Sequence, residues 1–123
     1  MAALRAAETG HLVISTIHAP SATQAIERMV NLFPPEHASS ICQQISSNLV
    51  GIVCQSLLLG KNNTRVLSSE ILLNNNAMKF LIREKKYSQM SSMLQTGQAL
   101  GMYTMEKNIE QLKAKGLIDI NST

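Results

Sequence analysis

The chain has 123 residues, of which 45% are hydrophobic and 15% are charged. That length fits a single domain with a modest core, and the composition argues against intrinsic disorder. The net charge of +3 is small and its basic residues are mixed with acids, which argues against nucleic acid as a partner. No apolar run approaches the roughly 18 residues of a membrane span, and no signal-peptide pattern begins the chain. We therefore expect a cytoplasmic protein without a transmembrane segment.

The cysteines and histidines do not form a pattern typical of a metal site. Cys42 and Cys54 are the only cysteines. On one helix they would lie about 18 Å apart along its axis, so we expect free buried thiols rather than a disulfide. The Cys-x-x-Cys pair of structural zinc sites is missing. His11 and His18 would be about 23 Å apart on a straight strand, too far to share a metal ion.

Apolar spacing and capping residues predict the elements of the first third of the chain. A helix over Ala2–Glu8 should stop at Gly10, a common residue just past a helix end. Leu12–Ile17 is an unbroken apolar run, as expected for a strand covered on both faces. Ser21–Gln24 indicates a capping box that opens a helix reaching Phe33.

The rest of the chain is predicted to be mostly helical around one β-pair. Apolar residues recur at three- and four-residue spacing from Ala38 to Val53, which predicts a long helix. Gln55–Leu59 and Arg65–Leu73 are expected to form a short antiparallel pair. Three more helices are predicted over 77–85, 88–94 and 104–115, and we expect Asn121–Thr123 to be frayed.

The predicted fold class is α/β and rich in helix, with one buried strand and a short β-pair. The buried strand over Leu12–Ile17 has no predicted neighbour in this sequence, and an unpaired edge would be left on its most apolar strand. We therefore expect that a second copy covers it or that residues before Met1 are missing.

One histidine stands where open α/β sheets place their chemistry. His18 comes at the carboxyl end of the predicted strand, where ligands bind in such sheets. A neutral imidazole there could hydrogen-bond a phosphate oxygen, and a protonated one could neutralise it. A purely structural histidine remains the alternative. His11, at the opposite end, is better suited to ordering a turn, and His37 is predicted to be a solvated surface residue.

Phosphate-loop and nucleophile motifs are missing from the sequence. No Gly-x-x-x-x-Gly-Lys-Ser/Thr loop occurs, and no serine sits in a Gly-x-Ser-x-Gly elbow. The residues alone therefore predict no complete catalytic site in this chain.

Several motifs, however, resemble the secretion ATPase superfamily that serves type II and type IV secretion and type IV pili. Ala6–His18, with the sequence AAETGHLVISTIH, resembles its His box, and Ile26–Pro34 (IERMVNLFP) resembles a second family motif. Ala77–Glu84 (AMKFLIRE) and Leu94–Met102 (LQTGQALGM) are similar to motifs of the pilus retraction branch. The lack of a tetracysteine zinc insertion also favours that branch.

The resemblance implies a piece of a larger motor. It implies the C-terminal part of a RecA-like P-loop NTPase core over residues 1–73, including the His box, followed by a helical C-terminal region over residues 74–123. The family's Walker A and Walker B elements precede the His box. We therefore expect this chain alone not to hydrolyse ATP or to bind it tightly, whereas the full-length protein would use ATP and Mg²⁺.

The resemblance also assigns roles to particular residues. His18 matches the histidine that faces the nucleotide's γ-phosphate, and His11 matches the other histidine of the box. The helix implicated in retraction is matched by Leu81, Ile82, Arg83 and Glu84. The chain departs from that motif at Lys79 and Phe80, where the family has Arg and Asn.

The implied partners are those of a pilus motor. The family forms homo-oligomers, namely hexameric rings, and meets a pilus platform protein of the inner membrane, so a cytoplasmic protein peripherally associated with that membrane is expected. The alternative is a non-catalytic helical interaction module that docks through apolar, Met-rich surfaces and in which both histidines are structural.

Overall fold

The computed structural model describes residues 2–119, so the predicted fraying of Asn121–Thr123 lies outside the described residues. Helices surround one antiparallel strand pair. The elements in chain order are α1 (Ala2–Glu8), α2 (Ala22–Asn31), α3 (Ala38–Asn48), β1 (Gly51–Leu59), β2 (Arg65–Leu73), α4 (Asn76–Arg83), α5 (Tyr87–Thr96) and α6 (Met105–Ala114), with short 3₁₀ turns at Pro35–His37, Lys61–Asn63 and Gln98–Leu100.

Side-chain caps fix where three of the helices begin. The Ser21 hydroxyl oxygen accepts the N–H of Gln24 at 3.2 Å, which confirms the Ser21 half of the predicted capping box of α2. Asn75 caps α4 by accepting the Met78 N–H at 2.8 Å, and Thr104 caps α6 in the same manner. Each cap satisfies one of the backbone N–H groups that a helix start leaves without a partner.

The strand pair is a hairpin of two nine-residue strands, and its two faces differ. Its register runs from Gly51 opposite Leu73 to Leu59 opposite Arg65. Asn62 and Asn63 have positive φ angles at the tip, a conformation that asparagine tolerates better than most residues. Alternate positions face the core, and the buried ones are Cys54, Ser68, Glu70 and Leu72.

The boundary between α3 and β1 differs from the prediction. The predicted helix over Ala38–Val53 ends at Asn48, and β1 begins at Gly51 rather than Gln55. The Asn74 side-chain amide donates to the carbonyl oxygens of Ser46 and Leu49 at 2.9 and 2.7 Å, satisfying two acceptors at the helix end. Strand pairing with β2 then overrides the helical spacing of the apolar residues that follow.

The prediction of a buried strand over Leu12–Ile17 is wrong for this structure. Residues 11–19 have irregular backbone, and Leu12 and Ile14 are 83% and 89% exposed. A strand requires a neighbour to pair its backbone N–H and C=O groups. In the part of the chain that the structure describes, β1 and β2 pair with each other and no other strand lies beside residues 11–19.

One hydrophobic core joins the helices to the hairpin. It is built from aliphatic side chains and methionines, as the composition predicts. Its fully buried large side chains are Ile26, Leu72, Met78, Ile82, Met90 and Met102. These residues come from both sides of position 73, so the division into residues 1–73 and 74–123 stays a prediction.

Among residues 2–119, no helix has the length and apolar character needed to cross a bilayer.

Candidate functional site

His18 lies in the exposed segment between α1 and α2. Its side chain is exposed, and the Ser21 cap of α2 follows three residues later. The imidazole therefore stands at the surface beside a helix beginning. That position leaves it accessible to a ligand, although the residues directly before and after it, Ile17 and Ala19, are apolar.

His11 is bound to the end of α1. Its Nδ1 lies 3.1 Å from the Thr9 hydroxyl oxygen and 3.2 Å from the carbonyl oxygen of Ala6. Its backbone N–H also donates to the Ala6 carbonyl, at 3.0 Å. These contacts support the turn-ordering role that the sequence suggests for His11.

The structure does not gather the two histidines into a metal cluster. Within residues 2–119, no group of three or more His, Cys, Asp or Glu side chains is placed to hold an ion. His11 and His18 instead stand at the two ends of residues 11–18, and each has its own surroundings.

The four residues of the predicted motor-function helix divide into two pairs. Leu81 and Ile82 are buried in the core, whereas Arg83 and Glu84 are exposed at the end of α4. Phe80 is 47% exposed on the outer side of the same helix. The two buried side chains therefore pack α4 against the core, and the two exposed side chains are available to a partner.

Sequence reasoning missed a buried carboxylate, Glu70, at the centre of β2. Only 6% of Glu70 is exposed, and both of its oxygens are used. Its Oε2 accepts the N–H of Ala22 at 2.7 Å, and its Oε1 accepts the N–H of Met105 at 3.1 Å. Ala22 and Met105 are the first residues of α2 and α6. One carboxylate therefore satisfies an N–H group at two helix N-termini, whose partial positive charge favours an anion.

The alternation of β2 carries a signal for this residue. Ser68, Glu70 and Leu72 share the inward face of the strand. A glutamate between inward-facing residues must find hydrogen-bond donors, because burying an unpaired carboxylate is very unfavourable. The pattern could have singled out Glu70, but it could not have named the donors.

A cleft of about 250 Å³ opens beside Glu70, where α2, α5 and α6 approach one another. Two of its lining residues, Glu70 and Glu106, are acidic, and its other polar lining residues are serines, threonines and a glutamine. Two carboxylates without a lysine or arginine in the lining repel phosphate. This cleft is therefore unsuited to a nucleotide's phosphate groups.

The two thiols are unsuited to nucleophilic chemistry. Burial raises the pKa of Cys42, and the charge of Lys85 opposes that shift only partly. Burial also raises the pKa of Cys54, with a further contribution from the Glu70 carboxylate. Both remain protonated at neutral pH, whereas the thiolate is the reactive form.

Comparison with known proteins decides the family. The family described as type II/IV secretion system protein matches residues 1–116. The chain belongs to that family. The resemblance carried by the His box and the three other motifs is thereby confirmed.

Within the type II/IV secretion family, the chain is similar to proteins of type IV pili. It is 44% identical to a twitching motility protein of Neisseria gonorrhoeae over 94% of this chain and 31% of that protein. It is 43% identical to the type IV pilus retraction ATPase PilT of Pseudomonas aeruginosa over 94% of this chain and 34% of that protein. The chain thus spans about a third of the length of these relatives.

Two solved structures share the fold. The pilus retraction motor PilT with bound ADP matches with a TM-score of 0.87 and 39% identity, covering 97% of this chain and 33% of that one. The Legionella pneumophila ATPase DotB matches with a TM-score of 0.80 at 21% identity over 95% of this chain and 32% of that one, a likeness of fold alone. The helix-rich α/β fold predicted for the C-terminal part of such a motor is confirmed.

Proposed function

We propose that this chain is the C-terminal segment of a hexameric ATPase motor that powers type IV pilus retraction. The observation that carries the proposal is the match to the pilus retraction motor, a TM-score of 0.87 at 39% identity over 97% of this chain. The exposed apolar side chains of Leu12 and Ile14 support it, because a chain that works within a larger assembly can bury them there.

Within that motor, His18 senses the nucleotide, and His11 orders the turn that leads to it. An exposed imidazole can donate a hydrogen bond to a phosphate oxygen. The chain contributes this group without the Gly-rich loop that cradles phosphates, so ATP and Mg²⁺ would be held by other parts of the full-length protein. The chain alone is therefore inactive as an ATPase.

The exposed end of α4 transmits force or contacts a partner in this proposal. Arg83 and Glu84 are exposed and so can meet another surface, while Leu81 and Ile82 hold the helix in the core. The partners are other subunits of a hexameric ring and an inner-membrane pilus platform protein. The motor would then be cytoplasmic and peripherally associated with the inner membrane.

His18 provides the test of this function. In the full-length protein that contains this segment and a phosphate-binding loop, we expect His18→Ala to lower ATP turnover and twitching motility by about tenfold or more, because a hydrogen bond to a charged group is lost. His37→Ala is the matched control, since His37 is also exposed. Unchanged turnover and motility in His18→Ala would contradict the proposal and favour the non-catalytic interaction module.

An assay of the chain alone gives a second test of the proposed function. In a phosphate-release assay with ATP and Mg²⁺, the pure 123-residue chain should show no turnover above background. Clear magnesium-dependent hydrolysis would show that the phosphate-binding groups lie within this segment, against the proposal.

A further inference from the structure

We propose that Glu70 is a positioning residue for His18, holding the segment that carries this histidine in register with the C-terminal helix α6. The inference rests on the sensing role proposed for His18. It gives a physical path from the nucleotide site to the C-terminal helices, through one buried carboxylate.

His18 lies close in sequence to the residue that donates to Glu70. Helix α2 begins at Ala22, four residues after His18, and the Ala22 N–H donates to Glu70 at 2.7 Å. The Ser21 cap fixes the same turn from within the helix. The position of this helix beginning therefore limits where the chain just before it, and with it His18, can lie.

On the side of α6, several contacts besides Glu70 fasten the chain to β2. The backbones of Ile71 and Tyr103 exchange hydrogen bonds of 3.0 and 3.3 Å. Asn108 accepts the Ser69 N–H at 2.8 Å, and the Ser69 and Tyr103 hydroxyls lie 2.7 Å apart. The start of α6 is therefore part of the same rigid frame as the hairpin.

The start of α2 makes fewer hydrogen bonds to the other elements than the start of α6 does. Among the described residues, the bond from Ala22 to Glu70 is the one hydrogen bond that joins the first turn of α2 to the hairpin, and a 3.3 Å contact between the Thr23 and Ser91 hydroxyls joins it to α5. Loss of the carboxylate should thus free the start of α2 while α6 stays in place. This asymmetry separates a positioning role from a general contribution to stability.

Replacement by glutamine tests the carboxylate with little change in size. A carboxylate accepts hydrogen bonds at both oxygens, whereas the amide of glutamine has one acceptor oxygen and an NH₂ group that would face an N–H. Glu70→Gln therefore cannot satisfy both helix beginnings. We expect the loss to fall on Ala22, because the other contacts of α6 hold Met105 near the remaining oxygen.

Amide hydrogen exchange on the 123-residue chain measures this directly. In Glu70→Gln, exchange at Ala22, whose N–H donates to Glu70, should accelerate by about tenfold or more relative to the amide of the buried α3 residue Ile45. Exchange at Met105 should change much less. Glu106→Gln is the matched control, since it also removes a carboxylate from the cleft lining, but an exposed one. It should leave all these rates unchanged.

Two results would overturn the inference. Equal acceleration at Ala22, Met105 and Ile45 would show that Glu70 contributes only to global stability, and acceleration confined to Met105 would reverse the asymmetry. If Glu70→Gln does not fold, Glu70→Asp serves in the same measurement. It keeps the charge but is one methylene too short to reach both N–H groups, so the same ordering of rates is expected.

Turnover in the full-length motor then links Glu70 to His18. ATP hydrolysis is compared in His18→Ala, Glu70→Gln and the double variant. If Glu70 acts through His18, the double variant should lose no more turnover than His18→Ala alone. Losses that multiply would overturn the inference while leaving the sensing role intact. Unchanged turnover in His18→Ala would instead refute the proposed function, whatever the exchange rates show.

Discussion

Burial raises the pKa of three ionisable side chains, those of Cys42, Cys54 and Tyr87. The pKa values of the Cys42 and Cys54 thiols are raised mainly because burial disfavours the thiolate. The pKa of Tyr87 is raised by burial first, and then by the negative charges of ionised Cys42 and Glu27. In each case the folded state favours the neutral form, so the unfolded chain releases its proton at lower pH.

These shifts predict a loss of stability at alkaline pH. A thiol whose pKa is higher in the folded chain stabilises the fold fully below its ordinary value of 9.0 and progressively less as the pH rises from 9.0 towards the raised value. We therefore expect the urea midpoint to fall above about pH 9. The measurement is a series of urea unfolding curves from pH 7 to pH 10.5.

The control is the double variant Cys42→Ala, Cys54→Ala. It should be less stable at pH 7 because two buried side chains are shortened, but its midpoint should change less between pH 9 and 10. A remaining fall above pH 10 belongs to Tyr87. An equally steep fall from pH 9 in the double variant would contradict the assignment to the thiols.

The sequence predicts the hydrogen-bond partners of some residues but not of others. The Ser21 cap was predictable because its partner, Gln24, lies three residues away. The role of Glu70 was not, since its donors lie 48 and 35 residues away along the chain. Residue types indicate that a buried carboxylate needs partners, but only the packing of α2 and α6 against the hairpin identifies them.

Among the elements, helix α4 has one buried side and one exposed side. Its inward side is formed by Met78, Leu81 and Ile82, and its outward side carries Phe80 and Arg83. Substitutions on the two sides should therefore have different effects, although they occur within one turn of each other. A change on the inward side should act mainly by destabilising the fold.

Two neighbouring substitutions on α4 test this division. Ile82→Ala should lower the free energy of unfolding by about 2–5 kcal/mol, because it leaves a cavity in the core. Arg83→Ala should change it by no more than about 0.5 kcal/mol, since the side chain is exposed. Urea unfolding of the chain measures both. A large destabilisation in Arg83→Ala would show that this side chain has structural contacts.

Element boundaries were predictable where local chemistry decides them. The bounds of α1 and β2 match the prediction, because a glycine stop and a polar turn mark their ends. The end of α3 and the state of Leu12–Ile17 depend instead on which backbone lies alongside. Strand pairing with β2 extends β1 into apolar residues that also fit a helix. Leu12–Ile17 is irregular because no strand within residues 2–119 lies beside it.

For the molecule as a whole, the shared core should make the chain unfold as a unit. The cluster includes Ile26 and Cys42 from the first part of the chain and Met78 and Met90 from the second. A core shared in this manner couples the two parts, even if the predicted division into residues 1–73 and 74–123 holds. The predicted division and a single unfolding transition are therefore compatible.

Unfolding followed by two probes tests this coupling. Far-UV circular dichroism reports the helices, and fluorescence of Tyr87 and Tyr103 reports the core in a chain that has no tryptophan. We expect coincident urea transitions, and Met90→Ala should shift both curves equally because the side chain is fully buried. Phe80→Ala, at a half-exposed position, is the control that should shift them less. Separate transitions for the two probes would contradict a common core.

The methionines that fill this core also make the chain sensitive to oxidants. Met78, Met90 and Met102 are fully buried, and in the folded state they are shielded from peroxide. Once the chain opens, each can become a sulfoxide, whose polar S=O group does not fit an apolar interior. Oxidised chains would then fail to refold until a reductase restored the thioethers. A chain exposed to peroxide would accumulate this damage at each transient opening, so its refolding yield would fall as the exposure lengthens.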